Sequence, residues 1–302
     1  PTLAPIQATL LLLQRPGAAS PRLTAPLIAS AHDLHLHRDC RAWPLPASER
    51  RLRVRLAWAL YVHDKWAALL DARPSQLHAH DWAVPALSAA DFDGEPDADA
   101  VAFIQLVRLT AILADVATAF YSQCALADVT RAGPRAPALV LARAKPVQLR
   151  LKAWFARLPA ACQLSASGPA SGPAHLHLFY FAAEMAIHHR IIQTLHAWPP
   201  ADPHLLHICR AAAKTRLVGA LDFANRLRPA HLEAFWPAAA PACLARVAAF
   251  GALLAATAPA EAEAAFYQAR LREFRWTLAV SAPRAPWVAR AVALLDAGGV
   301  GG

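Results

Sequence analysis

The sequence predicts an all-α protein, a compact multi-helix array forming a single large domain, with one large core or two merged smaller ones. Three observations carry that prediction. Hydrophobic residues make up 57% of the 302 and charged residues only 17%, a balance too apolar for a disordered tail and sufficient for a large buried interior. Apolar positions recur at helical spacing from end to end, and strand-like alternation is rare. Proline and glycine clusters interrupt the pattern at helix-length intervals.

A first helix is expected over about Ile6–Gln14, stopped by Arg15-Pro16-Gly17, and a second over about Leu23–Leu34. Cys40–Pro46 reads as a loop, because Pro44 and Pro46 block helix. Ser48 is the expected N-cap of a helix over Glu49–Leu70. On it Leu52, Leu56, Leu60, His63 and Ala67 share one face, with Arg51, Arg55 and Trp58 to one side. Pro74 closes this unit, and a turn-rich segment leads to the acidic stretch Asp91–Asp99, which reads as a solvated, flexible connector.

A long helix is expected over about Ala100–Leu126, and residues 131–146, rich in Pro, Ala and Arg, read as a connector. A helix over Val147–Leu158 precedes a low-complexity loop, Ser165–Pro173. Further helices are expected over His175–His196, Pro203–Leu227, Pro229–Trp236 (short), Pro241–Thr257, Ala260–Val280 and Pro286–Leu295, before a frayed Gly298–Gly302 tail. No repeat of fixed period suggests a solenoid.

Composition also bears on function. The net charge of +9 permits contact with a polyanion, but Arg residues are spread along the chain. The five cysteines, Cys40, Cys124, Cys162, Cys209 and Cys243, form no CxxC pair. They suit neither a zinc site nor a disulfide framework, and point to cytosol or nucleus. The chain begins at Pro1, which reads as a piece of a longer protein, and no signal peptide pattern stands at its start. Val101–Ala127 carries Arg108 and Asp115, and Ala242–Thr257 is short and contains Arg246, so both read as buried helices and no membrane partner is expected. The 14 histidines include His32/His35/His37 and His188/His189, none at a ligand spacing with an acidic or third histidine partner. GxSxG, GxxxxGK[ST] and GxGxxG patterns are absent, so no catalytic, metal or cofactor residue is nominated.

The informative stretch is Leu23–Leu87. It holds, in order, Leu34, Leu36, His37, Arg38 and Asp39; Glu49, Arg50, Arg51 and Arg53; Trp58, Tyr61, Asp64 and Lys65; Arg73 and Pro74; and Asp81, Val84 and Pro85. This series resembles the signature of the fungal-specific transcription factor domain, the middle homology region of zinc binuclear cluster regulators. His175–Ile192 and Cys209–Trp236 resemble later helices of the same family. Glu263–Ala285 is similar to one branch, the fungal co-activators of nitrogen-source utilisation, which promote genes for GABA, urea and allantoin breakdown.

The resemblance implies that residues 1–302 form one regulatory domain, with the signature at 23–87, an acidic linker at about 88–99 and a helical part at about 100–297. It implies a nuclear regulator of RNA polymerase II transcription, an activator or co-activator of nitrogen and nutrient catabolism genes. Its DNA contact and its zinc would lie in an upstream six-cysteine module, with no cofactor in this chain. Its partners would be other transcription factors or coactivators, with a small-molecule effector and a homo- or heterodimer also allowed. The rival readings are an α-helical enzyme with an apolar pocket and a generic helical interaction scaffold. His37, Arg38, Asp39, Glu49, Arg51, Trp58, Tyr61, Asp64, Arg73 and Pro74 are the structural positions the signature singles out.

Two positions depart from the family pattern. His35 and Ala72 stand where its glycines end the two signature helices. Histidine adopts the left-handed conformation more readily than most residues; alanine tolerates it poorly, so a differently tightened turn is expected at Ala72. The arginine run from Arg50 to Arg55 reads either as a solvated helix start or as a set of cations entering the domain. Asp64 lies among apolar residues and needs a partner. Arg73, brought back by the turn at Pro74, is the expected one, with Arg51, Arg53 and Arg55 as alternatives.

Overall fold

The helical spacing of the apolar residues becomes a run of α-helices in the computed structural model, which describes residues 2–15, 21–94, 97–164 and 173–298. They are α1 (Leu3–Leu12), α2 (Pro21–Asp33), α3 (Ala47–Leu70), α4 (Ala98–Phe120), α5 (Gln123–Ala132) and α6 (Ala136–Ala156). After them come α7 (Ala174–Ala197), α8 (Pro203–Asn225), α9 (Pro229–Glu233), α10 (Ala240–Ala256), α11 (Glu261–Ser281) and α12 (Pro286–Ala297). No strand occurs among the described residues. The expected Ser165–Pro173 loop and glycine tail fall almost wholly outside them.

The chain divides into two units. The first comprises residues 1–111, 158–173 and 237–239, and the second 112–157, 174–236 and 240–302. In the first, α1, α2 and α3 pack on one another. The Trp66 indole of α3 donates to Thr110 Oγ1 of α4 at 2.9 Å, so both polar groups are satisfied inside the core. The single stripe expected on α3 is too narrow. Trp58, Tyr61, Asp64 and Trp66 are buried along with Leu56 and Leu60, while Leu52, His63 and Ala67 are only half-buried. Its start also differs: Pro46 holds the N-cap position and Ser48 lies inside the first turn.

In the second unit, α7 is the central element. Leu176, Phe179, Ala183, Met185, Ile187 and Ile191 are buried on all its sides, with α6, α8 and α10 packed around it and α10 in turn covered by α11 and α12. The alanines on α7 and α10 let the backbones approach. Gly251 of α10 makes room for α11, since a Cβ there would stand 2.8 Å from a Leu271 methyl. The end of α10 is held by buried Arg210 of α8, which donates to the Leu254 and Thr257 carbonyls at 3.1 Å and pairs with Glu263 at 2.8 Å. Glu263 also accepts the Tyr267 hydroxyl at 2.9 Å.

Two expectations for the middle of the chain are corrected. The helix drawn from Ala100 to Leu126 breaks at Tyr121-Ser122. Ser122 caps α5, its hydroxyl accepting the Ala125 amide at 3.1 Å. Arg190 of α7 donates to the Phe120 carbonyl at 3.0 Å, and Tyr121 donates to the Ala186 carbonyl at 2.6 Å with Arg190 and Arg246 over its ring. Arg190 thus takes a carbonyl that a continuous helix would use internally, and Tyr121 is anchored to α7 instead. Conversely, residues 136–146 are helix, not connector. Pro137 sits in the first turn of α6, where proline is favoured. Val140, Ala144, Val147, Leu151 and Trp154 then form an unbroken buried face through Pro146, whose ring lies on the exposed side. Burial of that face outweighs the one backbone hydrogen bond that Pro146 removes.

The most apolar window of α4 has mean hydropathy 1.8 and is 61% buried within the protein.

Burial holds three histidines of α7 neutral. His175, His188 and His189 are each pushed down to about 4, chiefly by desolvation, with His177 adding at His175, Arg216 and Lys152 at His188, and Arg246 and Arg190 at His189. The unfolded chain protonates these rings near pH 6.5 and the folded chain does not, so stability from them is complete above about pH 6.5 and lost as pH falls toward 4. The urea midpoint should decline steadily across that window, and His188→Leu should shallow the decline. A midpoint constant from pH 7 to pH 4.5 would contradict the assignment.

Candidate functional site

The signature unit is organised by how two helices end. His35 (φ 56°) and Ala72 (φ 53°) are the non-glycine residues with positive φ among those described. After α2, the Leu36 amide donates to the Ala31 carbonyl at 2.9 Å and the His35 amide to the His32 carbonyl at 2.8 Å. After α3, the Arg73 amide donates to the Ala68 carbonyl at 2.9 Å. The six-to-one bonds are those of Schellman caps. Ala72 therefore keeps the left-handed turn despite its Cβ, contrary to the expectation of a different closure. The conformation costs about 1–2 kcal/mol for a non-glycine residue, and the bonds that follow offset it.

Those bonds converge on Asp64, which is 3% exposed. Its Oδ2 accepts the Ser75 hydroxyl at 2.5 Å and the Leu77 amide at 3.3 Å, and its Oδ1 accepts the Gln76 amide at 3.0 Å. Lys65 Nζ lies 3.5 Å away, bonded in turn to Ser75 Oγ at 2.5 Å and to the Leu77 carbonyl, with the Tyr61 ring 5.0 Å off. Burial pushes the Lys65 ammonium below its usual range, and Asp64 works against that shift. Asp64 is buried as expected, but Arg73 is not its partner. Arg73 is exposed and pairs with Asp71 at 3.2 Å. The left-handed turn at Ala72 carries Arg73 outward and delivers the backbone of residues 75–77 to the carboxylate instead.

With residues 75–77 anchored, the following strand-like segment lies along α3. The Ala83 amide donates to the His37 carbonyl at 2.9 Å, and the Trp58 indole donates to the Pro85 carbonyl at 2.8 Å. Trp82 enters a ring cluster with Trp58 and Tyr61, centroids 5.6 and 5.2 Å away. The His37 ring meets His32 and His35 edge-on, and burial first, then those neighbours and Arg38, push it below the usual histidine range. Arg38 and Pro74 are exposed. Asp39 pairs with Arg41 at 2.6 Å on the surface, and the Arg41 guanidinium holds its carboxyl below the usual range.

The arginine run is neither solvated nor aimed at Asp64. Arg50 donates to the Leu45 and Trp43 carbonyls, and Arg53 binds Glu49 at 3.1 Å and the Leu34 carbonyl at 2.9 Å. Arg51 pairs with Asp93 at 2.5 Å. Arg55 donates to the Asp91 carbonyl at 3.1 Å and reaches Asp93 at 3.5 Å. Asp91 itself closes a capping box with Ser88. Residues 91–93, read as a free connector, are thus tied to α3.

Of the nominated residues, Trp58, Tyr61 and Asp64 share one cluster. Glu49 and Arg51 lie on the arginine face, and His37 meets the returning segment through its carbonyl. Ser75, Trp82 and Asp93 escaped sequence reasoning. The only signals were a lone serine after Pro74, a tryptophan in a turn-rich stretch and one acid among many. Among the described residues no three His, Cys, Asp or Glu side chains gather as metal ligands. Cys40, Cys162, Cys209 and Cys243 are buried apart, and Cys124 is exposed. These donors do not fit a two-zinc cluster.

Residues 18–155 match the fungal-specific transcription factor domain. Transcriptional activator protein DAL81 of Saccharomyces cerevisiae is 30% identical over 93% of this chain and 33% of its own length. An uncharacterised transcriptional regulatory protein of Schizosaccharomyces pombe is 23% identical over 62% of this chain and 28% of its own. The chain thus spans about a third of the length of the curated relatives it matches. No solved structure matches it.

Two predictions follow from the geometry. Asp64→Ala frees the Gln76 amide and the buried Leu77 amide and leaves Lys65 without its carboxylate, and should cost about 3–5 kcal/mol in urea unfolding, whereas Arg73→Ala should cost under about 1 kcal/mol. A double-mutant cycle should give coupling for Asp64/Lys65 and additivity for Asp64/Arg73; the reverse pattern would refute the network. Ala72→Gly should raise stability by roughly 0.5–1 kcal/mol, because relief of the left-handed strain exceeds the entropy glycine adds to the unfolded chain. A loss of stability would show that the turn is not strained.

Proposed function

From the premise that this chain carries a fungal-specific transcription factor domain and belongs to that family, we propose that it is the regulatory region of a nuclear activator or co-activator of nitrogen and nutrient catabolism genes. The observation that carries the reading is identity to a transcriptional activator sustained along 93% of the chain, beyond the matched domain itself. Residues 1–302 would act together as the regulatory domain, although they fold as two units.

DNA would be read by a zinc module elsewhere in the full-length protein, because the cysteines here do not gather. The chain would then work by population shift, with a partner or effector favouring one state of the helical array. Its partners would be other transcription factors or coactivators, and its role non-enzymatic.

The test is a tethered reporter. The chain, fused to an unrelated DNA-binding module in a fungal host, should raise reporter expression several-fold on GABA, urea or allantoin relative to ammonium. No change on any nitrogen source would overturn the regulatory reading, and equal activation on all would overturn its nitrogen part. The unfused chain should shift mixed-sequence duplex DNA only at low salt and without sequence preference, since phosphate contacts alone are salt-sensitive.

A further inference from the structure

Cations occur along the whole chain, but the excess of cations over acids is weighted toward one segment. Residues 123–157 hold seven Lys and Arg against one acid, six of the chain's nine net positive charges in 35 residues. Nothing in the apolar periodicity of the segment requires this. The structure makes these residues α5 and α6 and shows which charges are spoken for. Asp128 takes Arg131 at 2.9 Å and Arg143 at 2.6 Å, and Asp115 takes Arg150. Arg135, Lys145, Lys152 and Arg157 are exposed and take no part in the ion pairs found among the described residues.

The arrangement on α6 is ordered. Val140, Ala144, Val147, Leu151 and Trp154 face inward. On the opposite side Ala138, Ala142, Lys145, Leu149, Lys152 and Ala156 follow at steps of four, three, four, three and four, one continuous exposed ridge. Leu149 is 58% exposed, midway between two lysines that lie about 10 Å apart along the axis at 1.5 Å per residue. The flanking Gln148 is turned inward to the His188 ring at 3.2 Å, and adds no polar donor to the ridge.

We propose that this ridge docks an acidic amphipathic helix of a partner protein, its apolar side on Leu149 and the alanines and its carboxylates on Lys145 and Lys152. Carboxylates two turns apart on one helix face match the lysine spacing, and residues between them meet the leucine. A nucleic acid backbone fits less well. Phosphate-binding surfaces add hydroxyl and amide donors to their cations, whereas here the centre of the ridge is methyl and methylene. The inference deepens the regulatory reading and rests on it for the class of partner. The two remain separable, since the reporter can fail while peptide binding succeeds, and the converse.

The experiment is a fluorescence-anisotropy titration of the whole chain against a labelled helical peptide with Glu at i and i+7 and Leu at i+3 and i+4. The comparisons are the same peptide with Ser for Leu, a mixed-sequence DNA duplex, and phosphatidylserine vesicles. The Glu/Leu peptide should bind best at physiological salt. Lys145→Glu with Lys152→Glu should weaken it by at least about tenfold, and Leu149→Ser or the Ser peptide by about threefold or more, with helicity and thermal unfolding unchanged because all three positions are exposed. If the charge-reversed chain fails to fold, Lys145→Gln with Lys152→Gln gives the same reading. The proposal is overturned if the peptide does not bind, if binding ignores Leu149, or if DNA or vesicles bind more tightly and lose affinity in the same variants.

Discussion

A buried carboxylate must be met by donors, and in the first unit Asp64 is that demand. It projects from the apolar side of α3, where an unpaired charge would cost several kcal/mol. The chain answers with the Ser75 hydroxyl, the amides of Gln76 and Leu77, and the neighbouring Lys65 ammonium. Meeting it determines where residues 75–77 lie, which determines that Ala83 pairs with His37 and that Trp82 joins Trp58 and Tyr61. Ala72 supplies the geometry: its left-handed conformation turns the backbone after α3 so that residues 75–77 reach Asp64. The strain at Ala72 and the satisfaction of Asp64 belong to one device.

The arginine run does similar work at the other end of α3. Each guanidinium finds an acceptor that secondary structure leaves over: the Leu34 carbonyl just past the end of α2, the Trp43 and Leu45 carbonyls in the loop, and the Asp91 carbonyl with the Asp93 carboxylate after the turn. Arginine suits this task because its fork can hold two acceptors in fixed directions. The exposed pairs add little stability singly. Their contribution is registry, holding residues 34–45 and 91–93 against one helix.

The second unit rests on apolar volume. Most of α7 is buried, with α6, α8 and α10 packed around it; among its polar groups Tyr180, Glu184 and Arg190 are hydrogen-bonded, and burial keeps His175, His188 and His189 neutral. Tyr180 donates to Glu184 at 2.8 Å with Arg216 at 3.4 Å, and burial pushes the Glu184 carboxyl up. Charge lies mostly on the outer surfaces, and conspicuously on α6, where Val140, Ala144, Val147, Leu151 and Trp154 face inward and the outward side carries Lys145 and Lys152, which take no part in the ion pairs found among the described residues. The same amphipathicity that builds the core creates the cationic ridge.

The helical class, the course of α7, α8, α10, α11 and α12, and the signature that marks the family were legible in the sequence, because helical periodicity and a linear motif are local properties. The break at Tyr121, the helix running through Pro146 and the partner of Asp64 were not. Each is decided by groups distant in sequence: Arg190 and the Ala186 carbonyl for the break, the continuous buried face of α6 for the proline, and the amides of residues 76 and 77 for the carboxylate. Sequence showed that Asp64 needed a partner, since burying a charge alone is too costly in any fold. Tertiary structure chose the partner, because a turn at Ala72 that points Arg73 to solvent presents backbone amides in its place.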